Sequence, residues 1–246
     1  MKLVNSIKRL LSPRPSEWAI RIARDHKRVE KILSSTLKPN SNGIDIGCHE
    51  GSFLELFLKY AQHGRHWAFE PLPDYFEQLK TRFKTVSLHN FALSDQEDTT
   101  VFYKAVGAEA MSGFQLQHYP VSAQVEELHV TTKKLDSVIP ENTLIDFIKI
   151  DVEGAELQVL KGAVQTIARC RPVIMFEFAR VHVEAYGVTS REMFDFFLAN
   201  NYKLFRLDQG EEYSQEGFEA NFIHAHSTNY DRNAETNFLG IPKERI

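Results

Sequence analysis

Gly43-Ile44-Asp45-Ile46-Gly47-Cys48-His49-Glu50-Gly51 reads as a short apolar strand running into a glycine turn, and a helical stretch over about 52–63 follows it. Glycine at a strand-to-helix turn lets the backbone come close to a ligand. The spelling is D-x-G-x-x-x-G, not the dinucleotide fingerprint G-x-G-x-x-G. Asp45 stands where the first glycine of that fingerprint would be. A carboxylate there repels a pyrophosphate and suits a ligand carrying an ammonium group. Taken alone, the segment also reads as a tight turn that binds nothing.

Outward from this turn, short apolar runs alternate with helical stretches. The runs are 67–69, 86–88, 145–150 and 173–178, and the helical stretches are about 74–84, 154–169 and 190–200. Alternating units of this kind predict a doubly wound α/β fold with a mostly parallel sheet. The runs at 145–150 and 173–178 are apolar throughout, as strands covered on both faces must be. Residues 99–104 and 128–132 read as extra strands in a long connection, and 202–207 with 237–241 as a closing pair. Between that pair lies a polar stretch, 208–235, too long for a simple turn. Before the sheet, 1–12 reads as a short amphipathic helix broken by Pro13 and Pro15, and Ser16 as the N-cap of a helix to about Leu37. The domain reading is a basic helical extension, 1–42, and one α/β domain, 43–246.

In a doubly wound sheet, ligands lie across the carboxyl ends of the strands. Acidic residues fall at those ends. Glu70 closes the second strand, 19 residues after Gly51, where its carboxylate can take a pair of ribose hydroxyls. Asn90-Phe91-Ala92-Leu93-Ser94-Asp95 follows the third strand and is placed to flank an adenine ring. Ile148-Lys149-Ile150-Asp151-Val152-Glu153-Gly154-Ala155-Glu156 puts three carboxylates within six residues at a strand tip. Helix capping explains one of the three, and a divalent cation is a rival reading of the group. Glu177 ends the next strand, and Arg180 and His182 follow it. His224 and His226 read as exposed, and Cys48 as a small filler in the turn.

The chain has 246 residues and a net charge of −4. With 43% hydrophobic residues it can bury a substantial core, and no apolar run is long enough for a transmembrane helix. No signal-peptide pattern opens the chain, and two distant cysteines make neither a disulfide framework nor a zinc site. A cytoplasmic setting is the expectation. Residues 1–38 carry ten Lys or Arg against three Asp or Glu, a net +7, so the remainder carries −11. Such an arm can touch a membrane surface or an acidic partner, or it can be a solvated helix face. The acidic body, with no aromatic–basic platform, speaks against nucleic acid.

The strings I-D-I-G-C-H-E-G, A-F-E-P, N-F-A-L-S-D, F-I-K-I-D-V-E-G-A-E-L-Q-V-L-K-G-A and P-V-I-M-F-E, in that order, resemble the FkbM-type methyltransferases. The resemblance runs from about Gly43 to about Asp208, with N-F-L-G-I-P-K-E similar to the family's closing strand. It implies a Rossmann-like class I methyltransferase fold, a seven-stranded sheet whose last strand is antiparallel. It implies S-adenosylmethionine as methyl donor and a hydroxyl acceptor on a sugar, glycolipid or secondary metabolite. Carried over by position, Asp45, Gly47 and Gly51 line the methionine end, Glu70 the ribose, and Asn90, Ala92 and Leu93 the adenine side. Asp151 and Glu153 face the methyl group. Asp151 is the first candidate for general base, with Glu177 and His182 next, and no metal is assigned. Cys48-His49-Glu50 departs from the commonest family spelling, which has small or amide residues there. Rival readings are an N-methyltransferase of the same fold, a non-catalytic Rossmann-like binding protein and an NAD-linked oxidoreductase.

Overall fold

Strands without a polar side need cover on both faces, and helices supply it here. The computed structural model describes residues 17–117, 119, 122–207, 210–224 and 235–246. The chain enters through helix α1 (Glu17–Thr36), then β1 (Gly43–Ile46), α2 (Ser52–Tyr60), β2 (His66–Phe69), α3 (Pro73–Arg82) and β3 (Ser87–His89). An excursion follows: β4 (Ala92–Leu93), β5 (Thr99–Val106) and β6 (Gln124–Lys133). The chain returns through α4 (Leu135–Val138), β7 (Phe147–Ile150), α5 (Glu156–Lys161), α6 (Val164–Cys170) and β8 (Val173–Glu177). It closes with α7 (Arg180–Val183), α8 (Ser190–Ala199), β9 (Tyr202–Arg206), α9 (Gln215–His224) and β10 (Asn237–Pro242).

Seven strands form one sheet in the order β3-β2-β1-β7-β8-β10-β9. All neighbours are parallel except at β10, which runs antiparallel to both β8 and β9. This is the sheet that the resemblance implies, and the alternating pattern reports its class correctly. The excursion forms a separate three-stranded sheet, β4-β6-β5, beside the carboxyl end of β3. One hydrophobic cluster packs Ile148, Ile150, Ile174 and Phe176 against Leu157, Leu160 and Phe197. Another packs Phe147, Val173 and Met175 against Phe53, Phe57 and α1.

Helix α1 belongs to the second cluster through Val29, Ile32 and Leu33, and Leu37 joins them just after its end. Arg28 also pairs with the buried Glu235 at 3.2 Å, beside β10. The described part of the basic extension is thus packed on the domain. The reading of 1–12 as a helix, and most of the arm's surface, lie outside the described residues.

One expectation needs correction, and one element went unread. The single helix over 154–169 is two helices, broken at Gly162-Ala163. A Cβ on Gly162 would sit 2.1 Å from the Ser94 carbonyl oxygen, so the helix must turn where the excursion crosses it. Asp136 then accepts from the backbone N–H of Gln165 and Thr166, at 2.9 and 2.8 Å, and starts the second helix. The polar stretch after β9 also holds a helix, α9, whose Phe218 is fully buried against Phe178 and Phe238.

Candidate active site

The carboxyl ends of β1, β2 and β7 surround a cavity of about 340 Å³, within the range of small-ligand sites. Its floor is the glycine turn. Gly47 has φ 73°, and a Cβ there would lie 1.9 Å from the Asp151 carbonyl oxygen, so only glycine fits. Ile46, Gly47, Cys48 and His49 line one wall, and Asp151, Val152 and Glu153 another. Leu72, Ala92, Leu93, Phe102 and Phe114 make an apolar side, and His26 and Val29 of α1 reach the rim. No sequence signal marked α1 as part of this site.

Lys149 organises the floor. It comes from the buried strand β7, and its Nζ lies 3.3 Å from Asp45 Oδ1 and 3.5 Å from Asp151 Oδ2. It also donates to the Gly47 carbonyl at 2.9 Å. Burial opposes its charge, but Asp45 and then Asp151 outweigh that and hold the ammonium well above the ordinary lysine value. Asp45 is fully buried, and the cavity lining does not include it. Burial raises its pKa, with Lys149 opposing. Its charge partner is Lys149, which in turn holds the turn, and both Asp45 oxygens are buried without a hydrogen bond. The sequence reading missed Lys149, although a lone charge inside an apolar strand was a usable signal.

Glu70 lines the cavity and accepts two backbone N–H groups, from His49 at 2.8 Å and Leu72 at 2.9 Å. Burial pushes its carboxyl up to about 7 against those hydrogen bonds. Asn90 is exposed, and its amide donates to the Glu70 and Pro71 carbonyls at 2.9 and 3.0 Å. It ties two loops together and is not among the residues that line the cavity, whereas Ala92 and Leu93 are. Gly51, at φ 81°, packs under Phe83 and Leu79 and shapes the turn from outside the cavity. His49 stacks on Tyr75 with ring centroids 4.1 Å apart. Its Nε2 is buried with no hydrogen-bond partner, and burial lowers its pKa. It is an unsatisfied polar atom at the cavity wall.

The acid cluster divides by role. Glu156 is buried and opens α5, where its Oε1 accepts from the N–H of Val152 and Gly154, at 3.0 and 3.1 Å. Capping accounts for it. Glu177 does not line the cavity; it hydrogen-bonds the Asp151 carboxylate. Burial first, then the charges of Asp151, Glu153 and Glu156, push it well above the usual carboxylate range. These causes all favour its protonated form. Glu153 has a left-handed backbone (φ 57°), and its Oε2 sits 3.0 Å from His182 Nδ1. Burial opposes a charged His182, but the Glu153 carboxylate beside it, with Glu156 and Asp151 behind, outweighs that and raises its pKa. Burial also raises Glu153, with His182 opposing. One ligand-type atom each from Glu153, Glu177 and His182 falls within 4.8 Å of the others. Of the sequence-predicted site residues, the fold thus brings together Asp151, Glu153, Glu177 and His182.

Cys48 is a buried thiol, pushed well above its ordinary pKa by burial and then by Asp45 and Glu70, which suits a filler. The His224 side chain and His226 lie outside the described residues. No helix among the described residues is long and apolar enough to cross a membrane.

Solved structures of similar shape include methyltransferase FkbM from Methylobacillus flagellatus KT, with a TM-score of 0.51 at 16% identity over 83% of this chain. At that identity the likeness shows the fold, and this chain spans only 44% of that one. Aeropyrum pernix fibrillarin, solved with natively bound S-adenosyl-L-methionine, has a TM-score of 0.47 at 11% identity, over 87% of this chain and 74% of the other. Among curated proteins, 2-O-methyltransferase NoeI of Sinorhizobium fredii (strain NBRC 101917 / NGR234) is 28% identical over 162 residues. That match covers 59% of this chain and 65% of NoeI. The methyltransferase FkbM domain matches residues 45–204, from Asp45 in the glycine turn through the carboxylates of β7 and β8. With that domain over more than half its length, and the sheet to match, the chain belongs to the FkbM methyltransferase family.

Proposed function

We propose that this protein is an S-adenosylmethionine-dependent O-methyltransferase acting on a hydroxyl of a sugar, glycolipid or secondary metabolite. Membership of the FkbM methyltransferase family supports the reaction type. The similarity to NoeI, a 2-O-methyltransferase, supports oxygen as the methylated atom. The observation that carries the reading is the cavity itself, which runs from a bare glycine turn to Glu70 and an apolar slot, with carboxylates beyond.

The residues fit the donor. Glu70 offers a carboxylate with lone pairs to spare for ribose hydroxyls, and His49 Nε2 lacks a partner that a polar ligand atom can supply. Leu72, Ala92, Leu93 and Phe102 form a slot suited to a purine. When bound, the donor supplies an activated methyl group on a sulfonium. The chain therefore needs no covalent intermediate. Its residues must hold the acceptor oxygen in line with that methyl and take up the hydroxyl proton. Asp151 and Glu153 put negative charge at the end of the cavity where a positive sulfonium would lie. In this reading the acid cluster works without a metal, so EDTA leaves turnover unchanged.

Calorimetric titration with S-adenosylmethionine tests the donor site. Micromolar binding, weakened in Glu70→Gln, is the expected result, followed by a screen of sugar and glycolipid acceptors with mass analysis of the methylated atom. Folded wild-type protein that shows no binding would overturn the reading.

A further inference from the structure

The excursion contributes a residue to the acid cluster. Gln117, which follows β5, lies between two partners: its Nε2 donates to the Glu153 backbone carbonyl at 2.7 Å, and its Oε1 sits 2.7 Å from His182 Nδ1. The first contact fixes the second. A backbone carbonyl can only accept, so the amide nitrogen must face it and the amide oxygen must face the histidine. The histidine nitrogen therefore carries the hydrogen. Glu153 Oε2 lies 3.0 Å from the same Nδ1 but takes no hydrogen bond, so the proton is directed at Gln117. That contact assigns the proton of neutral His182 to Nδ1 and leaves the lone pair on Nε2. No described residue hydrogen-bonds Nε2, and His182 adjoins the cavity through the lining residue Glu153 without lining it itself.

We infer that His182 Nε2 is the general base of the reaction, and that Gln117 is the positioning residue that fixes its tautomer. The inference rests on the methyltransferase reading of the site. It replaces Asp151, whose carboxylate is engaged by Lys149 and by Glu177. The step balances as a displacement: the acceptor oxygen bonds to the methyl carbon, the carbon–sulfur bond breaks with its electron pair going to sulfur, and the hydroxyl proton passes to Nε2. The group behind a base that orients it is a familiar catalytic arrangement; here the Gln117 amide does that work, with the Glu153 carboxylate beside it. The latch has a second point. The Tyr186 hydroxyl, just beyond α7, accepts the Phe114 N–H at 2.9 Å, three residues before Gln117.

Long-range ¹H–¹⁵N spectra of histidine-labelled, donor-saturated protein read the tautomer directly, with His182→Gln identifying the signal. Wild type is expected to show neutral His182 protonated on Nδ1. In Gln117→Ala the Nε2–H form should gain, and in Gln117→Glu the imidazole should titrate at higher pH. A neutral His182 protonated on Nε2 in the wild type would overturn the assignment, whatever the acceptor. Once an acceptor is in hand, Gln117→Ala should lower kcat roughly tenfold or more with donor affinity unchanged. Gln117→Glu should move the acid limb of the rate profile upward. A limb that stays in place, or turnover that chelation abolishes and a divalent ion restores, would sink the base role. The donor titration is independent: intact binding with the wrong tautomer fails this inference alone, whereas absent binding fails the reading beneath it.

Discussion

In the proposed reading, the donor side and the acceptor side of the cavity are built on opposite electrostatic plans. On the donor side every charge has a resident answer: Asp45 has Lys149, Lys149 has the Gly47 carbonyl, and Glu70 has two backbone N–H groups. On the acceptor side, carboxylates outnumber cations. Glu156 has two backbone N–H groups, but Asp151, Glu153 and Glu177 have Lys149 and His182 as their charged neighbours among the described residues, and burial followed by the surrounding carboxylates raises the Glu177 pKa. The first side belongs to the fold, whereas the second stores repulsion that the fold must tolerate. Substitutions on the two sides should therefore move stability in opposite directions.

The largest effect is expected at Lys149. Lys149→Met strands the buried Asp45 carboxylate, and losing one partner of such a pair costs about 3–5 kcal/mol. Urea unfolding measures it, and Asp45→Asn in the same chain should recover most of the loss. If Lys149→Met is as stable as wild type, the resident pairing on the donor side is ornamental. Glu177→Gln should do the reverse. A carboxyl whose folded pKa is raised loses stability as pH climbs above its unfolded value, because the unfolded chain ionises first. The amide removes that penalty, so the variant should gain about 1 kcal/mol near pH 8, and less toward pH 5. An equal effect at both pH values would show that Glu177 does not hold its proton.

A smaller, tenfold effect is expected on donor affinity in Glu70→Gln, about 1.4 kcal/mol. Ribose hydroxyls favour the ionised carboxylate, so wild-type donor binding should tighten as pH rises through about 7, and this dependence should vanish in the variant. The least effect is expected at Arg28→Ala, about 1 kcal/mol or less by thermal unfolding, because Arg206 stays 3.5 Å from Glu235. A larger loss would make α1 a structural pillar as well as a rim.

The contrast also explains what could be read in the sequence. The donor side is local: a strand, a turn with glycines at set spacing and an acid at the next strand tip are contiguous signals. Gly47 and Glu70 sit on the cavity where their motifs place them, as do Ala92 and Leu93. Where the pattern gave a position but not an orientation, the outcome differed. Asp45 faces Lys149 and is not among the residues that line the cavity, whereas its strand neighbour Ile46 is. Asn90 spent its amide on two carbonyls. The acceptor side is assembled from distant pieces. Gln117 reaches His182 across 65 residues, from an excursion whose path no local periodicity encodes. His182 itself was a candidate, but nothing in the sequence ranked it above Asp151. Helix α9 went unread because its buried face is two or three aromatic residues in a polar stretch, too few to make a periodic stripe.

The crowding at Gly47 makes a ruler of the active site. Its α-carbon is pressed so closely against the Asp151 carbonyl that not even a methyl group fits between them. The turn that would carry the donor and the strand tip that begins the acceptor side are therefore gauged against each other by backbone alone. In the proposed reading, the rim, the excursion and the closing helix can change without altering that spacing, because no side chain of Gly47 takes part in setting it.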